Sequence, residues 1–213
     1  MDTLSLNRGE VRNLVFVDEP DLDLHCMQEE DSVLRLFVFD FHSADNILHI
    51  DHKAPGCVTE IYHLAFLHGE DCVNLHTRMH HEIGEGISRQ TVKFVLDDKS
   101  KGEFLGELVI KPDAQHVDAQ QTNRNLILSK TATMRTRPQL EIYADDVKAS
   151  HGATTGQLDD SALFYMQQRC IAPEQARKML LRAFMEDVIA QLPDEQQREQ
   201  LMVTIDRIIE QGQ

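Results

Sequence analysis

The sequence has no tryptophan and only three tyrosines, so a sugar-gripping groove walled by aromatic rings has little to be built from. Cysteine is equally sparse. The four present, Cys26, Cys57, Cys72 and Cys170, are scattered and form no C-x-x-C pair, which excludes a thioredoxin motif and a zinc ribbon and leaves free thiols packed mostly as small hydrophobes. Basic charge is scarce too. Against 36 acidic residues stand 21 basic ones, a net charge of -15, so a phosphate backbone or an anionic membrane would be repelled and a basic or neutral partner surface suits the chain better. No apolar run approaches the roughly 20 residues that span a bilayer, and the opening MDTLSLNRGE has no apolar signal core; the reading is a soluble, cytoplasmic protein. Neither a G-x-S-x-G elbow nor a G-x-x-x-x-G-K-[ST] loop occurs, and Ile83 to Ile87 (IGEGI) reads as a turn.

What is there is mostly strand. With 213 residues, 41% of them hydrophobic, the chain can bury a substantial core. From Asn13 to about Thr155 it runs through LVFV from Leu14, VLRLFVFDF from Val33, ILHI from Ile47, EIYHLAFLH from Glu60, TVKFVL from Thr91, GELVI from Gly106 and NLILS from Asn125. No amphipathic helix separates these runs, which excludes a doubly wound sheet. Val109, Ile127 and Ile142 fall fifteen to eighteen residues apart, a spacing that suits a β-solenoid and equally permits a jelly roll or another sandwich. Leu140, Ile142 and Ala144 then alternate with Glu141 and Tyr143, the period of a half-buried strand, until Asp145-Asp146 breaks it. A short strand over Val147 to Ser150 follows and ends at His151-Gly152.

Helix formers take over after Gly156. Asp159-Asp160-Ser161 offers N-caps for a short helix carrying Leu163, Phe164 and Met166. A second helix opens with Ala172-Pro173-Glu174 and repeats Ala176, Met179, Leu180, Ala183, Phe184 and Val188 on one face; a third follows Pro193-Asp194 with Leu201, Ile205, Ile208 and Ile209. The expected organisation is a β domain over residues 1-157 and a helical domain over 158-213, the apolar stripes packing into a cap on the sheet structure or serving as a docking surface.

Three stretches together, SRQTVKFVLDDKSKGEFLGELVIKPDAQHVDAQQTNRNLILS from Ser88, PQLEIYADDVKASHGATTGQLDD from Pro138 and ALFYMQQRCI from Ala162, resemble the C-terminal portion of SufD in the SufB/SufD family of the SUF iron-sulfur cluster assembly system. Such length is specific. The corresponding SufB junction reads more like Glu-His-Glu-Ala-Thr-Thr than the Ser150-His151-Gly152-Ala153-Thr154 of this chain, so the resemblance is to SufD. It implies a right-handed parallel β-helix followed by a small helical domain, and a non-enzymatic scaffold that pairs with a SufB homologue. It implies also that the helical end docks SufC, an ABC-type ATPase, with Leu163, Phe164, Met179, Leu180 and Phe184 in the docking region. His151 is then the residue implicated in nascent cluster formation at the SufB-SufD interface, a shared ligand of iron in a transient cluster that this chain does not hold stably alone. The lack of closely spaced cysteines agrees, since thiolates must come from the partner.

The chain departs from the family pattern in three places. Ala149 stands where a cysteine is frequent, two before the histidine, and Cys170 stands where glycine often follows the arginine, so the first helix is expected to end differently. Strand-like text begins almost at once, whereas the resemblance implies a chain about twice as long with an N-terminal helical domain. An open first coil would favour a homodimer when the chain is isolated. Two rival functions remain, a β-helical carbohydrate-active enzyme and a self-assembling structural solenoid.

Histidine is concentrated, nine of the eleven lying between His25 and His81. Within one strand neither His49 with His52 nor His76 with His80 makes a chelate, the first pair pointing to opposite faces and the second lying about 13 Å apart. The expectation is polar histidines on solvated faces. Asp145-Asp146 and Asp159-Asp160 are expected to serve turns and caps rather than paired-carboxylate hydrolysis.

Overall fold

Alternating apolar and polar residues with a two-residue period make strands with one buried face, and the described residues supply twelve of them. The computed structural model describes residues 1-211. The strands are β1 (Asp2-Leu6), β2 (Val11-Val17), β3 (Asp23-Gln28), β4 (Val33-Asp40), β5 (Ala44-His52) and β6 (Val58-Leu67). They continue with β7 (Cys72-His81), β8 (Ile87-Leu96), β9 (Lys101-Ile110), β10 (Asp118-Ile127), β11 (Thr133-Ile142) and β12 (Lys148-Gly156). Three helices follow, α1 (Asp160-Gln168), α2 (Pro173-Ile189) and α3 (Glu195-Gln211).

Odd-numbered strands form one sheet, β1-β3-β5-β7-β9-β11, and even-numbered strands the other, β12-β10-β8-β6-β4-β2. Every pairing is parallel. The result is a β-solenoid in which each coil gives one strand to each sheet, as the resemblance implied. The fifteen- to eighteen-residue spacing is therefore the step between sheets, since Val109, Ile127 and Ile142 sit in β9, β10 and β11. Whole coils advance by more, from Asp2 beside Leu24 at the start to Lys101 beside Thr133 at the end.

The bore between the sheets holds Leu36, Leu48, Ile50, Ile61, Val92, Phe94, Phe104 and Leu108, all buried. A second apolar layer lies outside the even sheet. Phe37, Phe39, Leu64, Phe66 and Val95 point away from the bore and pack beneath Leu181, Met185, Val188, Ile189, Leu201, Ile205 and Ile208. The expected helical cap thus lies along the flank of the solenoid, over the even sheet. On α3 the expected stripe of Leu201, Ile205, Ile208 and Ile209 is the buried one. On α2 the core-facing side is Ala176, Leu181, Met185, Val188 and Ile189, while Met179 is exposed and Leu180 half-buried. This helix is apolar on more than one side, and the aromatic ledge of the even sheet decides which side it buries.

Lys93 pins the layers together. Its side chain, buried on the outer face of β8, donates to the Phe184 carbonyl at 2.7 Å and to Asp187, with its ammonium 4.4 Å from the centre of the Phe184 ring. Burial lowers its pKa, against the opposing pull of Asp187.

The helix ends follow local chemistry. Asp159 caps α1 by accepting from the Ser161 N-H at 2.8 Å, and Pro173 occupies the first turn of α2. Cys170 takes φ 62°, the left-handed conformation that favours glycine. Its N-H donates to the Gln167 carbonyl and that of Ile171 to the Met166 carbonyl, the two bonds of a Schellman motif. So cysteine ends α1 in the way glycine does, against the expectation of a different stop.

Candidate functional site

His151 was expected at a strand end. It lies instead in the middle of β12, which continues to Gly156 because Asn125 of β10 carries the ladder onward, donating to the Thr154 carbonyl at 3.2 Å and to Thr155 Oγ1 at 3.1 Å. In register, His151 sits beside Gln121, and Gln121 beside Gln90. His151 also shares the inward parity of Ala149, which packs against the bore. The imidazole is therefore the last rung of an inward polar ladder. Thr77 donates to Gln90 Oε1 at 2.8 Å, and Gln121 Nε2 reaches the same oxygen at 3.4 Å. A Cβ on Gly106 would stand 2.2 Å from Gln121 Nε2, so that glycine is what lets the Gln121 amide cross the bore. Gln121 Oε1 is buried without a hydrogen-bond partner.

β11 and β12 end their sheets, so the bore opens there. His151 and its neighbours are exposed for that reason, and one backbone edge of each strand is left unpaired. Pro138, which cannot donate to a ladder, lies in β11 as edge strands allow. The carboxylate pairs do what turns and caps require, Asp146 in the β11-β12 turn pairing with His116 at 3.1 Å and Asp159 capping α1.

Of the expected docking residues, Phe164 is 62% and Met179 46% exposed. Leu163, Leu180 and Phe184 are half-buried, and Phe184 is engaged with the core beneath α2. The structure leaves Phe164, Tyr165 and Met179 as the free apolar groups of α1 and α2.

All four cysteines are free thiols. Cys26 and Cys57 are buried, and burial pushes the Cys26 thiol up to about 12 and raises that of Cys57, so neither is a ready thiolate. Cys170 is exposed.

The histidines correct the expectation of solvated faces. His52, His63 and His81 are fully buried. His63 Nε2 lies 2.8 Å from Asp40 Oδ2, His52 Nε2 2.8 Å from Thr59 Oγ1 and His81 Nε2 2.9 Å from Ser88 Oγ. Burial drives the His52 pKa well below its ordinary value and that of His81 down to about 3, so these two rings are neutral. A Cβ on Gly86 would stand 2.8 Å from Nδ1 of both, which leaves glycine alone able to occupy that loop position.

Three more histidines meet on the outer face of the odd sheet. Register sets His25 of β3 beside His49 of β5 and Asp51 of β5 beside His80 of β7. His25 Nε2 is 2.9 Å from Asp51 Oδ2, and its ring stacks on His49 with centroids 4.4 Å apart. His49 Nε2 and His80 Nδ1 lie 3.1 and 3.3 Å from Asp51 Oδ1 and 3.3 Å from each other. Burial would raise the Asp51 pKa, but the surrounding imidazoles and Lys53 hold it well below the usual carboxylate range. No periodicity within a single strand signals this cluster. It follows only from the offset between coils, which the sequence states nowhere.

The fold and the family agree. Residues 23-184 match the SUF system FeS cluster assembly SufBD core domain. The chain belongs to this family. It is 41% identical over 129 residues to the iron-sulfur cluster assembly protein SufD of Escherichia coli, an overlap covering 61% of this chain and 30% of that protein. To SufD of Bacillus subtilis it is 33% identical over 140 residues, covering 65% and 32%. A SufBD family protein of Mycobacterium leprae shares 32% over 171 residues, covering 80% and 38%. The chain spans about a third of the length of these relatives. Among the described residues no helix is long and apolar enough to cross a membrane.

Proposed function

We propose that this chain is a non-catalytic, SufD-type scaffold subunit of a cytoplasmic SUF complex, pairing with a SufB homologue at the β11-β12 end and docking the SufC ATPase through α1 and α2. The observation that carries the reading is the open mouth of the solenoid. Two free parallel edges there offer backbone N-H and C=O groups to a second solenoid, the mode of β-strand addition, and they frame the inward-facing His151. A neutral imidazole at such a mouth can ligate iron of a nascent cluster, with thiolates supplied by the partner, since β10, β11 and β12 carry no cysteine. Phe164, Tyr165 and Met179 supply apolar surface for SufC. The opposite pair of free edges, β1 and β2, is the surface for a homodimer of the isolated chain.

Co-expression with SufB and SufC homologues tests the reading. A ternary complex supports it; a chain that captures neither sinks it. Within that complex, His151→Ala is expected to lower cluster formation while assembly and SufC ATPase activity stay nearly intact. A variant that forms clusters at the normal rate would remove His151 from the chemistry, and one that cannot assemble would make it a packing residue.

A further inference from the structure

The histidine cluster on the outer face of the odd sheet has the dimensions of a metal site. His49 Nε2, His80 Nδ1 and Asp51 Oδ1 form a triangle with edges of 3.1, 3.3 and 3.3 Å. Around a tetrahedral ion with bonds of about 2.0-2.1 Å, ligand atoms stand about 3.3 Å apart. A hydrogen bond accounts for the edge between His49 Nε2 and His80 Nδ1 but not for the carboxylate corner. Asp51 is 7% exposed in its side chain, yet its Oδ1 takes no hydrogen bond of adequate geometry from either imidazole beside it. A buried carboxylate oxygen aimed between two ring nitrogens, with nothing donating to it, is a position that a cation completes.

The surroundings fit the same role. His25 holds the other carboxylate oxygen at 2.9 Å and stacks on His49, so it fixes the direction of Asp51 and the plane of the His49 ring. Lys53 approaches Asp51 Oδ2 at 3.5 Å, on the side away from the triangle's oxygen, and its charge is matched by its ion pair with Glu82. His49 and His80 remain about one quarter exposed, which leaves an entry path and an open coordination position. Two imidazoles and a carboxylate, with no sulfur, suit divalent zinc or iron and disfavour Cu(I) and iron-sulfur clusters.

We propose that His49, His80 and Asp51 bind one divalent first-row transition ion, Zn2+ or Fe2+, with His25 as the residue that positions Asp51. The site stands on the sheet that the helices leave uncovered and uses none of the residues assigned to partner binding, so it holds or fails independently of the scaffold reading.

The test uses the whole chain, stripped with a chelator and titrated with Co2+ as a spectroscopic probe, followed by Zn2+ displacement in a calorimeter. One ion per chain is expected, with visible bands of four-coordinate intensity that Zn2+ abolishes. Asp51→Asn and His49→Gln should each remove the bands. His25→Gln should weaken binding by about 10- to 100-fold, the usual effect of losing a ligand's support, and His151→Ala and His76→Gln should bind as the parent does. Circular dichroism monitors folding of each variant. Absence of binding in the parent chain, or stoichiometric binding that survives both Asp51→Asn and His49→Gln, overturns the proposal. Should those variants fail to fold, anomalous scattering from Zn2+ in parent crystals decides: an ion about 2.0-2.2 Å from the three ligand atoms supports the site, and an ion only elsewhere refutes it.

Discussion

The two sheets are built by the same coils, yet their outer faces are opposites. In the odd sheet, β7 and β9 alternate strictly between buried and accessible residues, and their outward side chains are mostly polar, among them His76, Arg78, His80, Glu103 and Glu107, with Leu105 and Val109 between them. In the even sheet, β4, β6 and β8 alternate only at first and then run through unbroken burial. The switch falls where α2 and α3 lie over the outward Phe37, Phe39, Leu64, Phe66 and Val95. One face must be kept covered, the other is free to carry charge and ligands. The difference teaches that period-two alternation reports burial on one side only, and its loss in mid-strand marks where a second layer sits.

The comparison breaks most visibly if the cover is disturbed. Phe39→Ala should cost about 3-5 kcal/mol, because a fully buried ring leaves a cavity that both the sheet and the helices line. On the odd sheet Ile47→Ala, at a partly exposed outward position, should stay within roughly 0.5 kcal/mol. Chemical denaturation of both variants measures the contrast, and equal losses would mean that the helices contribute no packing. Removing everything after Gly156 is correspondingly a poor way to isolate the solenoid, since it exposes five large apolar side chains at once; aggregation is the expected result, read by light scattering.

A smaller effect sharpens the role of the polar pin between the layers. Asp187→Ala leaves the buried Lys93 ammonium with the Phe184 carbonyl and ring alone, and about 1-3 kcal/mol should be lost. Lys93→Met, which keeps the apolar stem and removes the charge, should lie within about 1 kcal/mol of the parent near neutral pH. The pH dependence has a definite sign. Because burial lowers the Lys93 pKa from 10.5, the unfolded chain binds more protons than the folded one between the lowered value and 10.5. The parent should therefore gain stability over Lys93→Met as pH rises through that window, by at most about 1.4 kcal/mol per pH unit. Urea titrations at several alkaline pH values check it: no change relative to Lys93→Met would put the ammonium in solvent, and a parent that loses ground as pH rises would mean that the Asp187 pair outweighs burial.

Much of this contrast was legible before the structure, and the losses have physical causes. The strands with β-branched or aromatic runs, β4, β6 and β8, stood out because both of their faces are apolar. β1, β3 and β7 escaped: Leu24 and Cys26 alone mark the inward side of DLHCMQ, and in CVNLHTRMHH the inward set includes the polar Thr77 and His81. β12 was read as ending at Ser150 because its continuation rests on backbone pairing to β10 and on the Asn125 amide, and no hydrophobic period announces that. The α2 stripe was rotated because a helix apolar on several sides buries the one its neighbour selects. His151 was singled out by the family resemblance alone, and its place on an inward ladder was not readable from the sequence. The site formed by His25, His49, Asp51 and His80 was invisible for a plainer reason. Its members are brought together by coil offsets of 24 and 29 residues, and such offsets vary from coil to coil.

The smallest expected effect concerns turns, where solenoid and helices again part company. Non-glycine residues with positive φ are Asp18, Asp31, Glu85, Asp98 and His116 in the solenoid and Cys170 in the helical segment. Aspartate fills three of the solenoid positions, where a short polar side chain is tolerated, and two of these carboxylates tie adjacent coils together, Asp18 Oδ1 accepting from the Phe41 N-H at 2.6 Å and Asp98 Oδ2 from the Gly69 N-H at 3.0 Å. Cys170 has no such compensation in its side chain, which is exposed. It pays about 1-2 kcal/mol for its Cβ in the left-handed region, against the roughly 0.4-1 kcal/mol that a glycine would add to unfolded-state entropy. The difference favours glycine. Cys170→Gly should thus stabilise the protein by a few tenths to about 1 kcal/mol with the Schellman bonds retained, whereas Asp18→Gly should destabilise it by giving up the bond to Phe41. Paired thermal melts separate the two cases: a fall in Tm for Cys170→Gly would show that the cysteine side chain contributes a contact worth more than its backbone strain.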